Sequence, residues 1–237
     1  PENGSESASP IVFLHEGLGS VAMWRDFPQA LCAATGRAGL VYSRQGYGQS
    51  DPIADVRSSG RLTPDYMHRH AWEVLPQLLQ QEGLDRPVLL GHSDGGTIAL
   101  LHASRFPVSA CIVMAPHLFV EDVSIQAISQ TRDAFERGEL RSRLARYHAD
   151  VDCAFWQWND IWLSPAFADF QIEALCQRIV CPVLAIQGFD DPYGSMRQID
   201  ALTAPAQPPF LSKIGTQPAS DLRRMLLKLE QCGHSPH

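Results

Sequence analysis

Short aliphatic runs alternate with amphipathic stretches along most of the chain. "IVFLHE" at 11–16 reads as a short buried strand. "WRDFPQALCAAT" has helical spacing, and "AGLVYSR" is a second strand. "PDYMHRHAWEVLPQLLQQEG" is a helix, with a kink expected at Pro76 and an end at Gly83. "PVLLGH" is a third strand, and a helix follows from Gly95 to Phe106. "SACIVMAP" is a fourth strand. From His117 to Val180 the alternation stops, and two helical stretches lead into an aromatic cluster, "FWQWNDIWLSPAF". It resumes with the strand "CPVLAIQG", the helix "SMRQIDALTA" and the strand "MLLKLEQ". Apolar strands separated by helices predict a mostly parallel, doubly wound α/β sheet covered on both faces. The interruption predicts a helical cap over 117–180, inserted into a core made of 1–116 and 181–237. Residues 1–9, rich in Ser and Glu, are expected to be flexible.

Composition narrows the function. The chain has 237 residues, 45% hydrophobic and 19% charged, enough to bury a large core. A net charge of −7 with scattered basic residues argues against nucleic acid. The densest basic run, "RDAFERGELRSRLARYH", is balanced by acids, as on a solvated helix. No apolar run approaches the ~18 residues of a membrane span. "PENGSESASP" lacks the basic and apolar blocks of a signal peptide. The cysteines, 32, 111, 153, 176, 181 and 232, have neither C-x-x-C nor zinc-site spacing. Reduced, buried thiols in a cytoplasmic protein are expected, with no metal and no cofactor. The expected partner is a small-molecule substrate, and a homodimer is left open.

The chemistry centres on "VLLGHSDGG" at 88–96, where one serine stands among glycines between a strand and a helix. Gly91-x-Ser93-x-Gly95 is the pattern of a tight strand-to-helix turn that exposes a nucleophile. The pattern alone is weak, and its setting gives it weight. Such a turn strains the serine backbone and leaves no room for a Cβ two positions away on either side. It also puts Ser93 at a helix N-terminus, where negative charge is favoured. A serine nucleophile needs a base and an orienting acid. "FDDPYGS" after one strand offers Asp190 and Asp191, and "CGHSPH" after the last offers His234. Of the other histidines, His92 belongs to the turn, His68, His70, His102 and His148 are placed in helices, and His117 is expected to line a pocket. Among these histidines, only His234 follows the acid. The N–H groups of Asp94 and Gly17, with Leu18 as second choice to Gly17, are the expected oxyanion donors.

Taken together, "LHEGLGS", "YSRQGYGQSD", "GHSDGG", "IQGFDDPYG" and "CGHSPH" resemble the α/β-hydrolase superfamily in order and in kind. The resemblance spans nearly the whole chain. It implies an α/β-hydrolase sheet with a helical cap, Ser93 as nucleophile, His234 as base, and Asp191 rather than Asp190 as acid. "RQGYGQS" resembles a structural loop of the family. The implied reaction is hydrolysis of an ester or thioester. Phe155, Trp156, Trp158 and Trp162 suggest an apolar or aromatic acyl pocket under the cap, or else the cap's own core docking on the sheet. C–C bond hydrolases, lactonases, aminopeptidases and non-catalytic binding proteins share the fold. Two departures stand out. The antiparallel strand pair that usually precedes "IVFLHE" and the helix that usually follows the histidine loop are not seen in this sequence. Many relatives also have His-Gly where this chain has His15-Glu16, so Glu16 is expected either to repel an anionic substrate or to brace its loop.

Overall fold

In a computed structural model, residues 8–203 and 224–235 are described. The flexible segment expected over 1–9 falls mostly outside them. Among the described residues, six strands form one all-parallel sheet: β1 (Ile11–Leu14), β2 (Gly39–Val41), β3 (Val88–His92), β4 (Ala110–Met114), β5 (Val183–Gly188) and β6 (Arg224–Leu229). Their order is β2-β1-β3-β4-β5-β6. The winding reverses between β1 and β3, whose register pairs Leu14 with Gly91. Ligands of open α/β sheets bind in the crevice at such a reversal, beyond the strand carboxyl ends.

The strand period of two sorts side chains onto two faces. Ile11, Phe13, Val88 and Leu90 pack with Trp24 under α1 (Phe27–Thr35). Pro28 starts α1 and Gly36, at φ 64°, ends it. Val12, Leu14, Leu89 and Val113 face the other way, into the larger core. That core is closed by α2 (66–81), α3 (Asp94–Ala103) and the helices of 117–180. At the sheet's last strand Met225 and Leu227 are 65% and 45% exposed.

The expected kink at Pro76 is replaced by a local widening. Helix α2 is continuous, but its middle turn, His70–Val74, is a π turn. Proline cannot donate to the carbonyl four residues back, at Trp72, and its ring crowds that group. A wider turn ending just before the proline relieves both problems.

Between β4 and β5 lie α4 (Asp122–Glu136), α5 (Glu139–Leu144), α6 (Val151–Trp162), a 3-10 turn (Pro165–Phe167) and α7 (Glu173–Cys176). Asp150 caps α6 by accepting the Cys153 N–H at 2.9 Å. The stretch is helical apart from one antiparallel bridge, Phe119 to Gln171. Among the described residues, the final helix is α8 (Arg197–Asp200), after β5. All six cysteines are free thiols. Among the described residues, no helix is long and apolar enough to cross a membrane.

Candidate active site

Ser93 ends β3 and begins α3 with φ 51° and ψ −119°. A non-glycine residue there is strained and persists only when its surroundings over-determine it. They do. The Ser93 N–H donates to the Met114 carbonyl at 2.8 Å, and its carbonyl accepts from the Thr97 N–H at 3.0 Å. A Cβ on Gly91 would run into the Gly95 backbone, and one on Gly95 into the carbonyls of Leu14 and His15. The glycines therefore let the turn pack against its own strand and against β1.

Asp191 follows β5 and His234 follows β6. The His234 Nδ1–H donates to the Asp191 carboxylate at 2.9 and 3.0 Å. The same carboxylate accepts from Gln187 Nε2 at 2.7 Å and from the Tyr193 N–H at 2.8 Å. Burial pushes the Asp191 carboxyl up, but the hydrogen bond and charge of His234 and the Tyr193 N–H outweigh it, and the net shift is downward. Asp190 is exposed, and its N–H donates to the Cys232 carbonyl at 3.0 Å, tying the two loops together. The carboxylate against His234 is thus that of Asp191.

Ser93 and His234 share a cavity of about 140 Å³. Glu16, Gly17 and Leu18, from the loop after β1, line part of it. The rest of the wall is His117, Ile128, Trp158, Trp162 and Tyr193. The Trp158 indole occupies the space a Cβ on Gly17 would need, so the glycine lets α6 pack directly against this loop. His117 is buried, which lowers its pKa to about 3 and leaves it neutral; its ring lies 4.9 Å from that of Trp162. Trp156, expected on this wall, lies elsewhere. Its ring carries the Arg57 guanidinium at 3.7 Å, on a different face of α6 from Trp158.

The Asp94 side chain is buried, which pushes its carboxyl upward. Its Oδ2 accepts from the Tyr66 hydroxyl at 2.7 Å, and that hydroxyl accepts from Trp162 Nε1 at 3.1 Å. The chain of contacts joins α2 and α6 to the turn that holds Ser93.

The loop after β1 is braced from three sides. Arg44 Nη2 donates to the Glu16 carbonyl at 2.9 Å, and the Arg44 N–H donates to His15 Nε2 at 3.0 Å. "RQGYGQS" therefore does act as a brace. His148, expected in a helix, lies in the connection between α5 and α6. It is buried, accepts the Gly48 N–H at 2.9 Å and donates to the Leu18 carbonyl at 3.0 Å. The third brace is Glu16 itself, whose carboxylate lies 3.5 Å from His92 Nδ1. Gln187, Tyr193 and His148 are the contributors that sequence reasoning missed. Their roles depend on where other loops fall, and only the nearness of Gln187 and Tyr193 to Asp191 in sequence hinted at them.

A strained serine at a parallel strand end, backed by a carboxylate–imidazole pair, defines the class of α/β folds built for nucleophilic serine chemistry. Sequence comparison agrees. The profile of the Alpha/beta hydrolase family matches residues 11–237, and the chain belongs to that family. The sn-1-specific diacylglycerol lipase ABHD11 of Danio rerio is 31% identical over 105 residues, which is 44% of this chain and 30% of that protein. Its counterpart in Mus musculus is 32% identical over the same length, 31% of that protein. The match thus spans under a third of these curated relatives. Among solved structures, a carboxylesterase of Nitrososphaera gargenis superposes with a TM-score of 0.64 at 18% identity, covering 98% of this chain and 85% of that one. An esterase of Exiguobacterium antarcticum gives 0.63 at 18% identity, over 97% and 86%. At that identity the likeness is one of fold.

Proposed function

We propose that this chain is a serine hydrolase that cleaves a carboxylic ester or thioester of a small apolar or aromatic acyl group. The observation that carries the reading is the 2.9 Å contact of His234 with Asp191, in a cavity shared with Ser93 at φ 51°. With Nδ1–H given to Asp191, the free edge of the His234 ring is the one that takes the Ser93 proton. Ser93 attacks the acyl carbon, and Asp191 steadies the imidazolium that forms. The Asp94 and Gly17 N–H groups hold the oxyanion, each such donor being worth about 3 kcal/mol in the transition state. His234 returns its proton to the leaving group, and water then releases the acid from Ser93. Residues 117–180 act as a cap, with Trp158 and Trp162 against the acyl group. An acyl ester substrate also accords with the diacylglycerol lipase named among the relatives.

Labelling with a fluorophosphonate, read by intact mass and peptide mapping, tests this directly. The expected result is one adduct on Ser93, absent in Ser93→Ala and suppressed in His234→Ala. A folded wild-type protein that takes no label rejects the reading.

A further inference from the structure

Beside the serine, with Glu16 on the cavity lining, lies a second carboxylate–imidazole pair. His92 is 1% exposed. Its Nε2 lies 2.7 Å from the His234 carbonyl oxygen. A carbonyl only accepts, so Nε2 carries the hydrogen. The other nitrogen, Nδ1, is 3.5 Å from Glu16 Oε2. If His92 were neutral and Glu16 ionised, the Nδ1 lone pair and a carboxylate oxygen would lie 3.5 Å apart, with the His92 side chain 1% and the Glu16 side chain 21% exposed. One further proton between them removes that repulsion. The chain also wraps closely over this carboxylate, since a Cβ on Gly19 would lie 2.5 Å from Glu16 Oε2.

We propose that Glu16 and His92 share this proton as an ion pair, and that the pair latches the His234 loop to the loop after β1. Glu16 is then a positioning residue for His234, a role that rests on the hydrolase reading above. The electrostatics agree from both ends. Burial pushes the Glu16 carboxyl up, but the adjoining His92 imidazole, 3.5 Å away, outweighs it and holds it far below the usual range. Burial pushes His92 down, but Glu16, the His234 carbonyl and Asp191 outweigh it and raise the net value. Around His92 stand Asp191 on the β5 loop and the rings of His234 and His117 on the β6 and β4 loops. Around Glu16 stand His15, Arg44 and His148. The pair is nearly neutral overall, so Glu16 braces its loop rather than repelling an anionic substrate.

The sign of the pH effect follows. A histidine with a raised folded pKa contributes fully below its ordinary value of about 6.5 and loses that contribution as pH rises through the folded value. Imidazole-¹⁵N NMR on the full chain, with His92 assigned through His92→Asn, reads the pair without any turnover. Both ring nitrogens of His92 are expected to be protonated at neutral pH, with a midpoint above the ordinary histidine value that falls in Glu16→Gln. A wild-type midpoint at or below the ordinary value, or one unmoved in Glu16→Gln, overturns the shared proton. In turnover of p-nitrophenyl esters, kcat of the wild type is expected to fall on the alkaline side at that same midpoint. Glu16→Gln, whose amide donates to a neutral Nδ1, loses this limb. Glu16→Ala lowers kcat more than it changes KM, by up to about 100-fold, as misplacement of a catalytic group does. Superimposable pH profiles of wild type and Glu16→Gln overturn the positioning role. Absence of a Ser93 adduct removes the hydrolase reading and the positioning role with it, while the NMR midpoint still decides the proton.

Discussion

The sheet's carboxyl rim and the helical wall facing it are built by different rules. On the rim, backbone hydrogen bonds fix where each functional group stands. Ser93 is pinned between Met114 and Thr97, and the Asp191 loop is tied to the His234 loop by Asp190 N–H to Cys232 carbonyl. On the wall, position is set by side-chain packing. Phe135 stacks on Phe155 with ring centres 3.7 Å apart, and Trp162 meets Phe167 edge-on at 5.0 Å. Packed aromatic groups tolerate exchange for others of similar volume far better than a strained turn tolerates a Cβ. On the proposed reaction, the rim holds the reacting groups and the wall sets acyl preference.

The sharpest break in that comparison is on the rim. Asp191→Asn keeps the shape but frees His234 to take the other tautomer, and kcat is expected to fall by about 10⁴-fold. Stopped-flow ester hydrolysis measures it. The same side chain links stability to pH. Its folded pKa is depressed. Its contribution is therefore complete above the ordinary carboxylate value of about 3.9 and is lost as pH falls through the lower folded value. Urea melts from pH 7 downward should show an acid-side loss in wild type that Asp191→Asn lacks. A variant that keeps near-wild-type kcat removes Asp191 from the chemistry.

The wall answers to smaller changes. Trp158→Ala opens the cavity beside Gly17. The expected outcome is a shift of kcat/KM toward longer acyl chains, with discrimination altered by about 10- to 200-fold per methylene, the range an apolar pocket commands. A series of p-nitrophenyl esters of increasing length reads it. An unchanged order of preference sinks the assignment of Trp158 to acyl selection.

The same division explains what could be read from sequence. The strand ends and the glycines around Ser93 follow from local geometry and are written in a few adjacent residues, while the order of serine, acid and histidine follows from the chain order of the fold. Asp190 and Asp191 could not be separated by turn chemistry alone. The structure separates them because only Asp191 turns inward, toward Gln187 and His234. In "FWQWNDIW", Phe155, Trp158 and Trp162 recur at i, i+3 and i+7, one face of a helix, and Trp156 falls off that face. Apolar character groups all four, and only the period divides them. Glu16 was visible as a departure from its relatives. Its partner His92 was not, because the two meet only after β1 and β3 pair side by side. His148 reaches Leu18 across 130 residues of sequence, a distance at which no local pattern speaks.

Trp156→Ala gives the smallest effect and the cleanest contrast with Trp158→Ala. Trp156 is half-buried and packs edge-on against Phe135 and Phe155, with Arg57 over its ring. Arg57 also pairs with Asp160 at 2.9 Å, one turn further along α6, so the loop before α2 is clipped to the helix twice. The Asp160 contact survives the substitution, and an exposed cation–π contact is worth about 0.5–1 kcal/mol. With some lost packing, the expected destabilisation is about 1–2 kcal/mol. For a chain of this size that is a fall in Tm of about 2–8 °C. Because Trp156 does not line the cavity, kcat/KM across the same ester series should keep its order and its magnitude. A changed acyl preference in Trp156→Ala would mean that the outer face of α6 sets the pocket as much as the inner one, and the division between rim and wall would have to be redrawn along the helix.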